Sequence, residues 1–423
     1  MSKQRIQLSD HFTYSRLLRF VLPCIGTMLF TSIYGIVDGL CVSNFVGKTA
    51  FAAVNLIMPL PMLLGTIGFM LGTGGSAIVG ITLGEGDQKK ADRYFTLFLL
   101  AALVSVSVLA VLGIVFLRPI AVLLGAKGEL LDYAVRYGRI LMVSLPTFAL
   151  QNMFQSFFVT AEKPHLGFWF TVGAGCTNMV LDVLMVGVWG WSVEGAAIAT
   201  FISQLVGGVL RDACINGSSE LMTNLSMSLV NILYNYQLLR LAGENGVAAY
   251  GVIMYAAFLF VAVFVGYAVG SAPIVSFHYG ARNHAEVHNL YRKSLRLIAV
   301  VAVTLTLASM FIIPCVARVF VGYDAELLAL TSRAFRLYAL SFLIMGFNVY
   351  ASSFFTALGD GVTSALISFL RTLAFQVIAI LLLPLLLGID GIWLAVTAAE
   401  LAALAVSAAM LLTKDKVFHY RKV

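Results

Sequence analysis

The sequence predicts an all-α integral membrane protein with twelve transmembrane helices in two pseudo-symmetric lobes of six helices each. Three observations predict this fold class. Hydrophobic residues make up 60% of the 423 residues and charged residues only 11%, whereas charged residues average about 25% in soluble domains. Apolar runs long enough to cross about 30 Å of hydrocarbon recur along the whole chain. The plan of the first half is also repeated in the second half.

Twelve apolar runs define the predicted helices in order. Each has about 20 or more mostly apolar residues, the length at which a helix spans a bilayer. Several runs are longer, so we expect tilting or kinking. The first run has no small-residue cleavage site close behind it, so we interpret it as a retained helix and not as a signal peptide. The runs cover residues 17–43, 49–81, 94–117, 134–160, 167–188, 192–210, 213–239, 246–276, 294–317, 333–357, 362–386 and 388–412.

The second half of the chain repeats the first half 196 positions later. The glycine that closes the second apolar run, Gly84, recurs as Gly280 at the end of the eighth run. Two equivalent hydrophobic halves are typical of alternating-access transporters, which hold their substrate between the halves. We therefore expect a first lobe over residues 1–210 and a second lobe over residues 211–423.

The basic residues predict the orientation in the membrane. With a cytoplasmic amino terminus, 17 of the 27 lysines and arginines fall in cytoplasmic segments, as the positive-inside rule requires. Both termini then lie in the cytoplasm. The net charge of +7 is explained by this orientation and by attraction to anionic lipid, so we expect membrane lipid, and no nucleic acid, as a partner.

Four acidic residues lie inside predicted spans and more than three residues from either end, where a charge is costly and function is the default interpretation. They are Asp38, Asp182, Glu220 and Glu400. Asp38 has no basic neighbour in the sequence and is the strongest candidate for binding and releasing a proton, although an acid that only lines a polar cavity is the alternative. Glu220 and Glu400 are candidates for a substrate cavity. Glu220 lies near the start of its span, so a solvated helix end is the alternative. A hydrogen bond within the helix bundle would explain Glu400 equally well.

A polar group surrounds the second of these acids. Asn178 precedes Asp182 by one helical turn and therefore shares its face, and Thr200 on the following span can approach both. Their oxygens suit a proton held by hydrogen bonds, or a Na⁺ ion held by direct ligation, and the residue types do not choose between the two. The alternative is a polar patch that joins neighbouring helices.

Two further polar residues are candidates for a substrate cavity. Tyr34 precedes Asp38 by one turn, and its ring can face a cationic ligand. Gln155, in the fourth span, is the second candidate for this substrate cavity. Packing within the helix bundle is the alternative for the tyrosine.

A resemblance to a known family is carried by the segments LPCIGTMLFTSIYGIVDGLCVSNFVG, TNMVLDVLMV and GAAIATFISQ. They resemble the multidrug and toxic compound extrusion (MATE) transporters, and the similarity extends over essentially the whole chain. Asp38 and the pair of Asn178 and Asp182 resemble the prokaryotic DNA-damage-inducible F-type branch. The resemblance implies a cation-coupling site at Asp38, Asn178, Asp182 and Thr200. If the coupling ion is Na⁺, these residues would bind it. It further implies Tyr137 as a cavity residue.

The chain departs from the family at the junction between the lobes. A cytoplasmic linker between the sixth and seventh helices is missing near residues 210–217. Either this chain has a shortened junction, or a segment is omitted from the sequence.

The resemblance implies a secondary active transporter in the cytoplasmic membrane of a prokaryote. It would export organic cations or amphiphiles by alternating access in exchange for H⁺ or Na⁺, as a monomer and with no cofactor beyond the coupling ion. A lipid-linked saccharide flippase is the first alternative, but it would need several basic residues within spans, and Arg371 alone lies clearly inside one. An intramembrane enzyme is the second alternative. We do not expect an enzyme, because the six histidines fall in or near predicted loops.

Overall fold

The computed structural model describes residues 6–45, 53–54, 56–208, 218–322 and 324–420, with some side chains inside these ranges left undescribed. Over this part of the chain the structure is almost entirely helical, and twelve long helices follow one another. We call α1–α6 the first lobe and α7–α12 the second lobe. The helices are α1 (Tyr14–Phe45), α2 (Pro59–Gly84), α3 (Gln88–Leu123), α4 (Glu129–Thr160), α5 (Pro164–Asp182), α6 (Ser192–Gly208), α7 (218–242), α8 (Asn245–Gly280), α9 (His284–Val321), α10 (Ala325–Ala339 and Phe342–Ala357), α11 (Gly361–Leu387) and α12 (Ile389–Thr413).

The predicted fold class is confirmed, because each predicted apolar run overlaps one of these helices over the residues that the structure describes. Within the described residues, eight helices are long and apolar enough to cross a membrane individually, and the bent α10 makes a ninth. The expectation of a missing linker near residues 210–217 lies outside the described residues.

Several helices are interrupted at defined points. A π-helical turn, Val183–Val188, directly follows Asp182 in α5, and a second, Leu370–Ala374, lies inside α11. Helix α10 bends by 46° between its two parts. Gly243 separates α7 from α8 with φ 61°, a left-handed conformation that glycine adopts without steric cost. π-helical turns like Val183–Val188 and Leu370–Ala374 are frequent at functional sites.

The two lobes meet where α2 and α8 end, at the repeated glycines. A Cβ atom at Gly84 would overlap the carbonyl oxygen of Phe277, and a Cβ atom at Gly280 would overlap the carbonyl oxygen of Ile81. Because both neighbours are backbone atoms, no side chain can move aside to make room. The repeat therefore places glycine on both sides of one close contact, which we call the glycine seam.

Side-chain caps begin four of the helices. Asp87 accepts a hydrogen bond from the Lys90 backbone N–H at 2.9 Å, and its repeat mate Asn283 accepts one from the Glu286 N–H at 3.1 Å. Asp324 and Asp360 cap α10 and α11 in the same way. These caps satisfy backbone donors that have no partner within their own helix.

Asp360 also ties α11 to the end of α12. Its carboxylate accepts hydrogen bonds from Lys414 Nζ at 2.9 Å and from Thr363 Oγ1 at 2.8 Å. Burial raises the pKa of the Asp360 carboxyl, but the hydrogen bonds from Lys414 and Thr363 and the charge of Lys414 outweigh it. The pKa therefore lies below its ordinary value.

We expect Asp360→Ala to lower the free energy of unfolding by about 1 kcal/mol at pH 7, mainly through loss of the helix cap. The folded-state pKa is below that of the unfolded chain, so this contribution is present above the ordinary value of 3.8 and is lost as the pH falls through the folded pKa. Thermal unfolding in detergent from pH 7 down to acid conditions tests this. A difference from wild type that grows on acidification would contradict it.

Candidate functional site

Two residues of the predicted polar group of the first lobe, Asn178 and Thr200, are in contact between α5 and α6. Asn178 Nδ2 donates to Thr200 Oγ1 at 3.4 Å, and the Thr200 hydroxyl donates to the Ala196 carbonyl at 3.0 Å. Asn178 is 2% exposed and Asp182 is completely buried. The group is thus a neutral amide and hydroxyl beside an acidic side chain within a membrane-spanning bundle, a combination that suits binding of a small cation.

The sequence positions Asp182 at the end of regular α-helix in α5. Beyond it the backbone changes to the π-helical pattern, and Trp189 N donates to the Leu184 carbonyl at 2.8 Å. Gly195 on α6 faces Met185 in this turn, where a Cβ atom would lie 3.2 Å from the Met185 carbonyl carbon. The close approach of α6 to the π-helical turn holds the two helices together next to the carboxylate.

Three of the predicted residues have side chains outside the described part of the structure. Tyr34 and Asp38 lie within α1, and Glu220 lies in the first turn of α7. Helix α1 also contains Pro23, whose carbonyl accepts a hydrogen bond from the Thr27 hydroxyl at 2.9 Å.

Tyr137 and Gln155 lie at two different places in the first lobe. Tyr137 is completely buried in a hydrophobic cluster that includes Val186 of the π-helical turn, and its hydroxyl lies 3.9 Å from Met58 Sδ. Gln155 borders a cavity of about 10 Å³, which has room for one water molecule. Helices α1, α4, α5 and α8 enclose this cavity, so Gln155 is close to the contact between the lobes.

Glu400 belongs to a polar group inside the second lobe. Its side chain is 2% exposed, and its Oε1 lies 3.6 Å from Arg371 Nη1 in the π-helical turn of α11. Asn348 on α10 donates to Glu400 Oε2 at 2.7 Å, and Ser407 donates to Asn348 Oδ1 at 2.9 Å. Three helices are thus joined by one buried ion pair and its hydrogen bonds.

Sequence reasoning did not assign Arg371 or Asn348 to a site. The signal was present for Arg371, because it was the basic residue found inside a predicted span.

The position that the repeat aligns with Asp38 is Tyr234, which stacks on Tyr250 with ring centroids 4.9 Å apart. The second lobe therefore has an aromatic pair where the first lobe has an acid.

Breaking the Glu400 ion pair should strongly destabilise the second lobe. Glu400→Ala leaves the largely buried Arg371 guanidinium without its counter-charge, which typically costs about 3–5 kcal/mol. We expect the double variant Arg371→Met with Glu400→Leu to recover most of that loss, because replacement of a whole buried pair is often close to neutral. Thermal unfolding in detergent measures both. A single variant that is at least as stable as the double variant would contradict this.

A two-lobe helical bundle with buried acidic groups inside membrane-spanning helices defines a multi-pass membrane transporter. The chain belongs to the MatE family, whose model matches it twice, over residues 23–184 and 221–382. The two matches divide between the two lobes as the internal repeat predicts.

Relatives and solved structures agree with this assignment. The chain is 26% identical over 207 residues to the multidrug export protein MepA of Staphylococcus haemolyticus, covering 49% of this chain and 46% of that protein. It is 21% identical over 432 residues to MepA of Staphylococcus aureus strain MW2, covering 96% and 95% of the two chains. Its fold matches a crystal structure of a MATE protein in complex with MaL6 with a TM-score of 0.91 and 22% identity, over 99% of this chain and 100% of that one.

Proposed function

We propose that the protein exports organic cations or amphiphiles in exchange for inward-moving H⁺, with Na⁺ as the alternative coupling ion. The observation that carries the proposal is the buried group of Asn178, Asp182 and Thr200 within a transporter fold. Acidic side chains inside membrane-spanning helices bind and release cations in transporters. The relatives named above are multidrug export proteins, which supports the substrate class.

The transport cycle follows from competition for the same carboxylates. When a cation entering from outside neutralises Asp38 and Asp182, a positively charged substrate loses its counter-charge and leaves to the outside. When the cation departs to the cytoplasm, the carboxylates regain their charge and bind the next substrate. Each ligand shifts the balance between the two arrangements of the lobes by its difference in affinity for them. We assign the accompanying change of bend in α1 to Pro23.

The proposed setting is the cytoplasmic membrane of a prokaryote, with both termini inside. The glycine seam then closes the cytoplasmic end, because Gly84 and Gly280 precede loops that the positive-inside rule places in the cytoplasm. The proposed boundary between the lobes is at residues 210 and 211. The transporter works as a monomer surrounded by lipid, and its partners are the substrate and the coupling ion.

The flippase alternative receives less support from the second lobe. A pyrophosphate-linked lipid would need basic side chains free to bind phosphate. The guanidinium of Arg371 already lies beside the carboxylate of Glu400, so recruiting it would leave that carboxylate buried without its counter-charge.

Substitution of Thr200 tests whether H⁺ or Na⁺ is the coupling ion. Thr200→Val removes one oxygen that a Na⁺ ion would need as a ligand, but its hydroxyl carries no charge. We expect proton-driven export to stay within about tenfold of wild type, the effect of one neutral hydrogen bond. Thr177→Val, which removes a similar hydroxyl bonded to its own helix, is the control. Loss of export in Thr200→Val that added sodium restores would contradict proton coupling and indicate Na⁺.

A further inference from the structure

A short segment before α1 lies across the end of the molecule where the lobes meet. Residues 7–12, which we call the strap, are not helical and contain a turn in which the Asp10 N–H donates to the Gln7 carbonyl at 3.2 Å. Leu8 is 2% exposed and Phe12 is completely buried. The strap is therefore packed into the protein and not extended into solvent.

The first lobe holds the strap through one carboxylate. The Leu8 backbone N–H donates to Glu162 Oε1 at 2.7 Å. Glu162 lies between α4 and α5 in a left-handed conformation with φ 59°, which a residue other than glycine adopts at some steric cost. A hydrogen bond to an ionised acceptor is about twice as strong as one between neutral groups.

The second lobe holds the strap through one face of α9. Glu286 accepts the Phe12 N–H at 2.8 Å, and its other oxygen lies 2.6 Å from His11 Nδ1. In return, the Phe12 carbonyl accepts hydrogen bonds from Lys293 Nζ at 2.6 Å and from Asn289 Nδ2 at 3.2 Å. Both backbone groups of Phe12 are thus bonded to α9.

Apolar contacts join the strap to both lobes as well. Leu8 and Phe12 belong to one buried cluster with Val159 of α4 and with Val287 and Leu290 of α9. The Phe12 ring also contacts the His278 ring edge to face, with centroids 6.3 Å apart. Because His278 lies two residues before Gly280, the strap covers the end of α8 that forms the glycine seam.

The strap is continuous with α1, so it belongs to the first lobe by covalent connection. If the lobes separate at the glycine seam, the strap must move with α1, and its bonds to α9 are the ones that must break. The bond to Glu162 lies within the first lobe and can persist. The same helix contains Pro23 and Asp38, so a change of bend in α1 reaches the strap directly.

We propose that the strap is a latch that holds the cytoplasmic end closed, and that its release from α9 is required for the inward-open arrangement. This inference rests on the alternating access of the proposed function. In this role Glu286 is a positioning residue, since it holds the strap and contacts neither substrate nor coupling ion.

Distances across the seam test the latch. Nitroxide labels on Lys89→Cys in the first lobe and Arg282→Cys in the second, both at exposed positions, report the opening by pulsed electron resonance in lipid nanodiscs. We expect Glu286→Gln to raise the open population about tenfold, the effect of weakening hydrogen bonds to a charged acceptor. Phe12→Ala should change the distance between the two labels in the same direction.

For specific labelling, the native cysteines are first replaced by alanine, namely Cys24, Cys41, Cys176, Cys214 and Cys315.

Glu85→Ala is the matched control. It removes an acidic side chain near the same seam, but one that lies 3.7 Å from Lys90 and not against the strap, so we expect no change in the distance distribution. If Glu286→Gln and Phe12→Ala both give the distribution of the parent protein, the latch is rejected.

The measurement separates failure of the latch from failure of the proposed function, because it needs neither substrate nor an ion gradient. Unchanged distances in a protein that still exports under a gradient would reject the latch alone. A shift towards the open form in a protein that exports under neither gradient would retain the latch and reject the antiport.

Discussion

Alanine at Gly280 is expected to reduce export strongly in a protein that still folds and inserts. The added methyl group would overlap the backbone carbonyl of Ile81 across the glycine seam, so closing of the cytoplasmic end is disfavoured. Overpacking of this kind costs about 1–3 kcal/mol, which corresponds to a loss of the closed arrangement by about 5-fold to 150-fold. Gly84→Ala should behave alike, since its Cβ atom would overlap the carbonyl of Phe277.

Gly251→Ala is the matched control for the seam. Gly251 lies on the same helix, α8, and a Cβ atom there would meet nothing within 4 Å. Efflux from proteoliposomes compares the variants at equal protein. Export by Gly280→Ala at the rate of Gly251→Ala would show that close contact at the seam is not required.

Asp38→Asn and Asp182→Asn are each expected to abolish drug resistance while leaving normal amounts of protein in the membrane. An amide keeps the size of the side chain but cannot alternate between a charged and a neutralised state. Without that alternation neither the coupling ion nor a cationic substrate changes its affinity between the two arrangements, and nothing is transported. Because Asp182 is completely buried, its charge strongly affects whether the coupling ion or a cationic substrate binds beside it.

Growth of a drug-sensitive host in the presence of a cationic dye measures this effect, and an immunoblot of membranes measures protein level. Asp132→Asn is the control, because Asp132 is an exposed acid in the first turn of α4. Wild-type resistance from either intramembrane variant would remove that residue from the coupling site.

Much of the fold could be predicted because the physical signals are local or repeated. The length of apolar runs defined the helices, since a membrane requires every span to be long and apolar. The offset of 196 residues matched Gly84 with Gly280, and the same offset relates the caps Asp87 and Asn283, which begin α3 and α9. The hydrogen bond between Asn178 and Thr200 followed from helix periodicity and from the order of neighbouring helices.

Contacts between distant parts of the chain could not be predicted from the same signals. Arg371 and Glu400 were each noticed in the sequence, but their pairing depends on the rotation of α11 and α12, which the π-helical turn Leu370–Ala374 alters. No signal in the sequence assigned a role to the strap. Its partner Glu286 is 275 positions from His11, and no periodicity connects residues across that separation.

The two lobes share one scaffold but differ in their polar side chains. The first lobe has Asn178 bonded to Thr200, with the buried Asp182 one helical turn from Asn178, whereas the second lobe has its carboxylate, Glu400, beside Arg371. A carboxylate beside a guanidinium is already neutralised and has less need of an incoming cation. We therefore propose ion coupling in the first lobe and a mainly structural role for the polar group of the second.

Efflux of a cationic dye from proteoliposomes under separately imposed proton and sodium gradients tests antiport most directly. The proposed function predicts that an inward proton gradient alone drives export, and that Asp182→Asn removes this export. Export driven by a sodium gradient alone would identify Na⁺ as the coupling ion and leave the antiport mechanism unchanged. Transport that responds to neither gradient would contradict antiport altogether.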